Sequence, residues 1–180
     1  MPSMHQMTVP ALIRGLGVLA NYVDAAAAFS AERDLAPDVL MNARLAPDML
    51  TFTAQIQRAS DNAKSGAARL AGATAPSFPD VEADFAALRR RLAATDAFLR
   101  GLTPEQFDDA ETRVVEMAFR SITGTMNGQT YLTQILLPNF YFHIATAHGI
   151  LRANGLNVGK RNYLGTAGAV PGALIDLSAA

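Results

Sequence analysis

The sequence predicts an all-α protein, an up-and-down four-helix bundle with a small β-hairpin inserted before its last long helix. Three observations predict it. Four stretches carry apolar residues at three- to four-residue spacing, Pro- and Gly-containing segments separate them, and one segment ahead of the fourth loses that period.

Each element has its own grounds. Val9, Leu12, Ile13, Leu16, Leu19, Ala20, Val23 and Ala27 follow helical spacing, with Thr8 as N-cap and Pro10 in the first turn, so a first helix is expected over 9–32. Gly15 and Gly17 are unfavourable inside a helix unless a neighbouring backbone comes close, which points to tight helix packing there. Residues 33–46 read as a connection with one helical turn around Val39–Met41. Pro47 is expected to open the second helix, with Asp48 at the positive end of its dipole and Met49, Phe52, Ile56, Ala59, Ala63, Ala67 and Leu70 as its apolar stripe. It ends near Ala71 and Gly72.

The segment "GATAPSFP" is a loop that presents Asp80 as N-cap of a third helix, 80–100, whose stripe is Val81, Phe85, Leu88, Leu92, Thr95 and Leu99. In "TPEQF", Thr103, Pro104 and Gln106 form a capping box on a short turn. From Glu111 to Thr125 β-branched residues dominate and Gly124 interrupts, which suggests the hairpin. A fourth helix runs from about Gly128 to Asn154–Gly155, with Tyr131, Ile135, Phe142 and Ala145 on one side and Pro138 bending it or interrupting its hydrogen-bond ladder. One domain, 1–165, and a weakly patterned tail, 166–180, follow from this division.

Composition excludes several functions. Half the residues are hydrophobic, 17% are charged and the net charge is −1, so there is no basic footprint for nucleic acid. With no cysteine there is no disulfide framework, thiolate metal cluster or cysteine nucleophile. The N-terminus lacks the basic-then-apolar order of a secretory signal, and Gln134, Pro138, Asn139 and His143 break the apolar run 132–147 before it reaches a membrane span. A cytoplasmic protein that contacts neither membrane nor nucleic acid is the expectation.

The densest chemistry lies in "LPNFYFHIATAHGILRANG". His143 and His148 are five residues apart, some 140° around a helix at about 100° per residue, a poor geometry for gripping one ion. His5 precedes the first helix, and the second helix offers Asp48, Gln55, Asp61 and Asn62 but no histidine. His143 therefore reads as a half-buried ring among Phe140, Tyr141 and Phe142, with Asn139 one turn away on the same face of a cleft. His148, near the helix end, reads as solvent-facing or dipole-compensating. Tyr141 and Tyr163 read as edge-of-core residues.

Other motifs fail on inspection. "GLNVGKRNY" has three residues between its glycines and Arg161 after Lys160, so it is not a phosphate loop, although Lys160 and Arg161 remain candidates to hold an anion. Arg89–Arg91 spread over about 200° of helix, too widely for one nucleic-acid stripe, and read as a solvated face with salt bridges. No serine, including Ser121 and Ser178, has a nucleophile context.

"NARLAPDMLTFTAQIQRASDNAK" and "LPNFYFHIATAHGILRANGLNVGKRNYLG" resemble an uncharacterised bacterial family within the DinB-like superfamily, a domain of unknown function, and the likeness extends over residues 5–165. The resemblance implies the DinB/YfiT-like four-helix bundle, often a dimer. It also implies a divalent-metal site of three histidines, one from the second helix and two from the fourth, and thiol-dependent transferase chemistry in some relatives. This sequence departs from that pattern at the second helix and in the fourth-helix spacing. Three readings follow: a homodimer that binds a small molecule in a cleft lined by Phe140, His143, Asn139 and Tyr131, beside a degenerate metal site; a metal-assisted enzyme using His143 with Asp48 and, more weakly, His148; and a structural or stress-associated dimer.

Overall fold

In a computed structural model, residues 2–119 and 122–164 are described. The chain forms α1 (Met4–Glu32), a short α2 (Pro37–Met41), α3 (Phe52–Ala71) and α4 (Phe85–Arg100), followed by a 3-10 turn at Pro104–Phe107. The antiparallel strands β1 (Val114–Phe119) and β2 (Ile122–Asn127) come next, then α5 (Gly128–Tyr131), a π turn (Leu132–Leu136), α6 (Leu137–Ala153) and α7 (Lys160–Leu164). Four long helical segments close a ring in which α1 and α3 each pack on both α4 and α6. This is the all-α bundle with hairpin that the sequence predicts. The expected tail, 166–180, lies outside the described residues, as do Gly165, Ser121 and Ser178.

Helix starts are where the sequence misleads. Thr8 is not a cap: α1 begins earlier, because Ser3 accepts from the Gln6 amide while the Gln6 side chain returns to the Ser3 amide. Thr8 is buried inside the helix. Pro47 does not open α3 either. It sits with exposed Asp48 in a preceding turn, and the helix starts at Thr51, whose hydroxyl accepts from the Ala54 amide at 3.2 Å. Asp84 rather than Asp80 caps α4, accepting from Ala87, and Val81 is exposed rather than part of the stripe. Asp80 is spent on ion pairs instead. Thr103 and Gln106 do form the capping box.

The fourth helical segment corrects a face. Pro138 has no N–H to give the carbonyl four residues back, and its ring would press on it; the chain widens just before, with the Leu137 amide reaching five residues back to Leu132. That extra residue turns the later face by about 100°. Phe142, expected on the apolar side, is 56% exposed, while Leu136, Phe140, Ile144, Ala147 and Leu151 fill the core. In the hairpin, Val115 and Met117 are buried and alternate with exposed Val114 and Glu116, the period of a one-sided sheet.

By length and composition α1 would pass as a membrane span, which the sequence reading did not anticipate. Its apolar face belongs to the bundle: Leu12, Leu16, Leu19 and Val23 are all but inaccessible. The two glycines of α1 differ sharply. A methyl on Gly15 would overlap the Phe140 ring and stand 2.7 Å from Ile144 Cδ1, whereas one on Gly17 would meet nothing within 4 Å. Urea unfolding is expected to show Gly15→Ala destabilised by about 1 to 3 kcal/mol through overpacking. Gly17→Ala should gain up to about 1 kcal/mol from helix propensity. Equal effects at both positions would contradict this packing.

Candidate functional site

The sequence nominates the α6 face around His143, and there the structure resolves one pair. The His143 ring is buried against α3, where Nδ1–H donates to Gln55 Oε1 at 2.7 Å, and the Gln55 amide donates in turn to the Leu50 carbonyl at 3.3 Å. The Gln55 oxygen is thereby fixed as the acceptor. Burial, with the nearby Arg58 charge, pushes His143 down to about 4, so the ring is neutral with its lone pair on Nε2.

The other nominated residues do not converge on it. Phe140 and Tyr131 are core side chains and Asn139 is exposed, so the three do not share an open wall with His143. Tyr131 instead receives a hydrogen bond from Arg69 at 3.4 Å. Asp48 is exposed on the turn before α3, and Lys160 and Arg161 are exposed on α7.

His148 corrects another expectation. It is half-buried rather than solvent-facing, and the Tyr22 hydroxyl of α1 donates to its Nδ1 at 2.7 Å. Burial pushes Tyr22 above the usual phenol range and His148 below the usual imidazole range, Arg152 adding to the latter. Tyr163 closes edge-on over the His148 ring, and Arg14 donates to the Tyr163 and Leu164 carbonyls while lying over the Tyr141 ring. The cluster clasps α7 onto α1.

The two α6 histidines thus face different helices, His143 towards α3 and His148 towards α1, as their spacing implied. A metal needs three or more converging donors. Among the described residues no such group of His, Cys, Asp or Glu exists. The residues present do not fit the three-histidine centre implied by the resemblance, because α3 meets His143 with Gln55 rather than with a histidine.

A second polar centre joins α3 to α4, where salt bridges expected of the Arg89–Arg91 run form at Arg91, but that residue is buried. Arg91, read as part of a solvated face, has a side chain only 2% exposed and bridges Asp61 at 2.7 Å, Asp80 at 3.0 Å and Glu82 at 2.8 Å. Arg58 joins Asp61 and Asp80, and Lys64 pairs with Asp61 at 2.9 Å. Ser60 and Thr95 complete the buried side. Burial raises the Glu82 carboxyl, but hydrogen bonds from Arg91 and Gln57 outweigh it and hold the group below its usual range. Opposite charges match one for one, so the cluster pins the 72–84 connection to α3 and α4 rather than inviting a ligand. The signal was available: Arg91 lies three and four residues from Leu88 and Thr95, on the core stripe.

The open space lies elsewhere. A half-open cleft of about 880 Å³ runs between α1 and α4; Pro10, Ile13, Ala20 and Pro104 give its accessible apolar lining, over the buried Val9, Val18, Leu99 and Leu102. None of Phe140, His143, Asn139 or Tyr131 lines it. The two helices are antiparallel, for His5 Nε2–H donates to the Leu102 carbonyl at one end while Asp24 pairs with Arg89 at the other. Ligand clefts of about 300 to 1,000 Å³ with apolar floors are typical of small-molecule sites.

The family model described as "Domain of unknown function (DUF1993)" matches residues 4–164. A crystal structure of a DinB family member protein from Shewanella denitrificans is 39% identical, with a TM-score of 0.85, over 91% of this chain and 92% of that one. No curated protein matches.

His143 makes stability depend on pH with a definite sign. Its folded value of about 4 lies below the ordinary 6.5, so between those values the unfolded chain holds the extra proton. Stability should fall as pH drops from 6.5 to 4, by up to about 3 kcal/mol from this group. Thermal melts of His143→Gln across the same range should show a shallower slope than the unaltered protein. An unchanged slope would mean the ring is already charged when folded.

Proposed function

The chain belongs to the DUF1993 family of DinB-like helical bundles, and from that premise we propose that it is a homodimeric binding protein that holds a small molecule in the cleft between α1 and α4. The observation that carries this reading is the cleft itself, with its size, apolar floor and polar rim. Catalysis has no comparable support. The metal site implied by the relatives is read as degenerate, since His143 and His148 diverge and Asp48 stands apart on an exposed turn. What supports a dimer is an apolar outer surface on α6: Phe142 is 56% exposed, Gly149 shares its face two turns on, and exposed Leu45 lies against Gly149.

Gly17 gives the cleft reading a direct test, because it lines the cleft and has open space around it. An uncharged fluorescent probe, N-phenyl-naphthylamine, should bind the protein with enhanced emission, and Gly17→Phe should abolish that binding while leaving the circular dichroism and melting temperature intact. Probe binding that survives the substitution would place the ligand elsewhere.

The dimer is checked independently by sedimentation equilibrium. At tens of micromolar the protein should sediment at twice its chain mass, and Phe142→Lys should return it to the monomer. A monomer for the unaltered chain would sink that part of the reading.

A further inference from the structure

The cleft between α1 and α4 also has a charge pattern, and this inference rests on the reading of that cleft as a binding site. Its walls carry three arginines, Arg14, Arg89 and Arg100, against a single carboxylate, Asp96. Two of the arginines are already neutralised: Arg100 Nε lies 2.6 Å from Asp96, and Arg89 Nε lies 3.0 Å from Asp24. Arg14 is different. Its bonds go to the backbone carbonyls of Tyr163 and Leu164, at 3.4 and 3.0 Å through one nitrogen, and it has no carboxylate partner among the described residues. The guanidinium has five donors, and a carbonyl cancels no charge.

Position adds to charge. The cleft follows α1 from His5 to Asn21, about 24 Å at 1.5 Å per residue, and Arg14 stands near its middle. Apolar wall extends from it in both directions, through Pro10 and Pro104 one way and Gly17 and Ala20 the other. A cation set within an elongated apolar trough fits a molecule with one anionic group and an apolar body. We propose that the cleft takes an amphipathic carboxylate, its head on the Arg14 guanidinium and its chain along the floor between α1 and α4. The bidentate fork of arginine suits a carboxylate better than a neutral hydroxyl or an amine.

The test displaces N-phenyl-naphthylamine with dodecanoate or with dodecanol, both below the concentration at which they aggregate. On the unaltered protein dodecanoate should displace the probe at least about tenfold more tightly than dodecanol, the effect expected of one charge-assisted contact. In Arg14→Gln the two should come within about threefold of each other, and Arg14→Lys, which keeps the charge but loses the fork, should fall between Arg14→Gln and the unaltered protein. Equal displacement by the two on the unaltered protein, no displacement by either, or a preference that persists in Arg14→Gln would overturn the assignment. The comparison on the unaltered protein decides even where Arg14→Gln loosens α7. Failure here leaves the cleft reading standing as long as Gly17→Phe abolishes probe binding, and persistence of the probe in Gly17→Phe removes the cleft reading itself.

Discussion

The contact between Gly15 and the Phe140 ring governs how α1 is turned. No side chain fits between them, so α1 comes close to α6 there and its rotation about its own axis is fixed. Two residues on, about 200° around the helix, Gly17 faces the opposite way. One glycine admits a neighbour and the other leaves a gap. α1 packs on α4 as well as on α6, and the cleft is the groove that Gly17, with no side chain, leaves open along the α1/α4 contact. The cation at Arg14 lies between these sides, reaching α7 with its tip while it borders the cleft.

The two buried polar centres on α3 solve the same problem by different means. A buried charge must be paired, and Arg91 is, with three carboxylates of which two come from the 72–84 connection. A buried imidazole can instead shed its proton, as His143 does beside the neutral Gln55 amide. The first solution ties a long connection down through its charges. The second links α3 to α6 with no charge at all, so at neutral pH it gives an anion nothing to bind. Neither centre opens into the α1/α4 cleft, which is why the densest chemistry in the sequence is not where the space is.

Much of the architecture was legible in the sequence. The apolar periods of α1, α3 and α4 place their cores, and the capping box at Thr103 and Gln106 reads directly. The misreadings share a cause: two local signals of equal strength stood close together. Thr8 before Pro10 rivals Ser3 with Gln6, and Asp80 rivals Asp84; only a tertiary role, burial for Thr8 and ion pairing for Asp80, breaks the tie. The face of α6 was misassigned because a single π turn before Pro138 shifts every later residue. For the site, the divergence of His143 and His148 followed from their spacing alone. Their partners did not, and the cleft could not, since a cleft depends on the separation of two helices and no periodicity within either one records it.

The aromatic and histidine stretch of α6 that invites a catalytic reading is accounted for by structure. Phe140 meets Gly15, His143 meets Gln55 and His148 meets Tyr22, each joining α6 to α1 or α3. The same stretch reaches α7 through Tyr163, which covers His148, and α7 in turn gives its carbonyls to Arg14. These contacts make the stretch a frame that holds α1 in place. The frame leaves on the opposite side of α1 a trough in which Arg14 has no carboxylate partner among the described residues, so the residues that looked chemical position the helix, and the helix presents the charge.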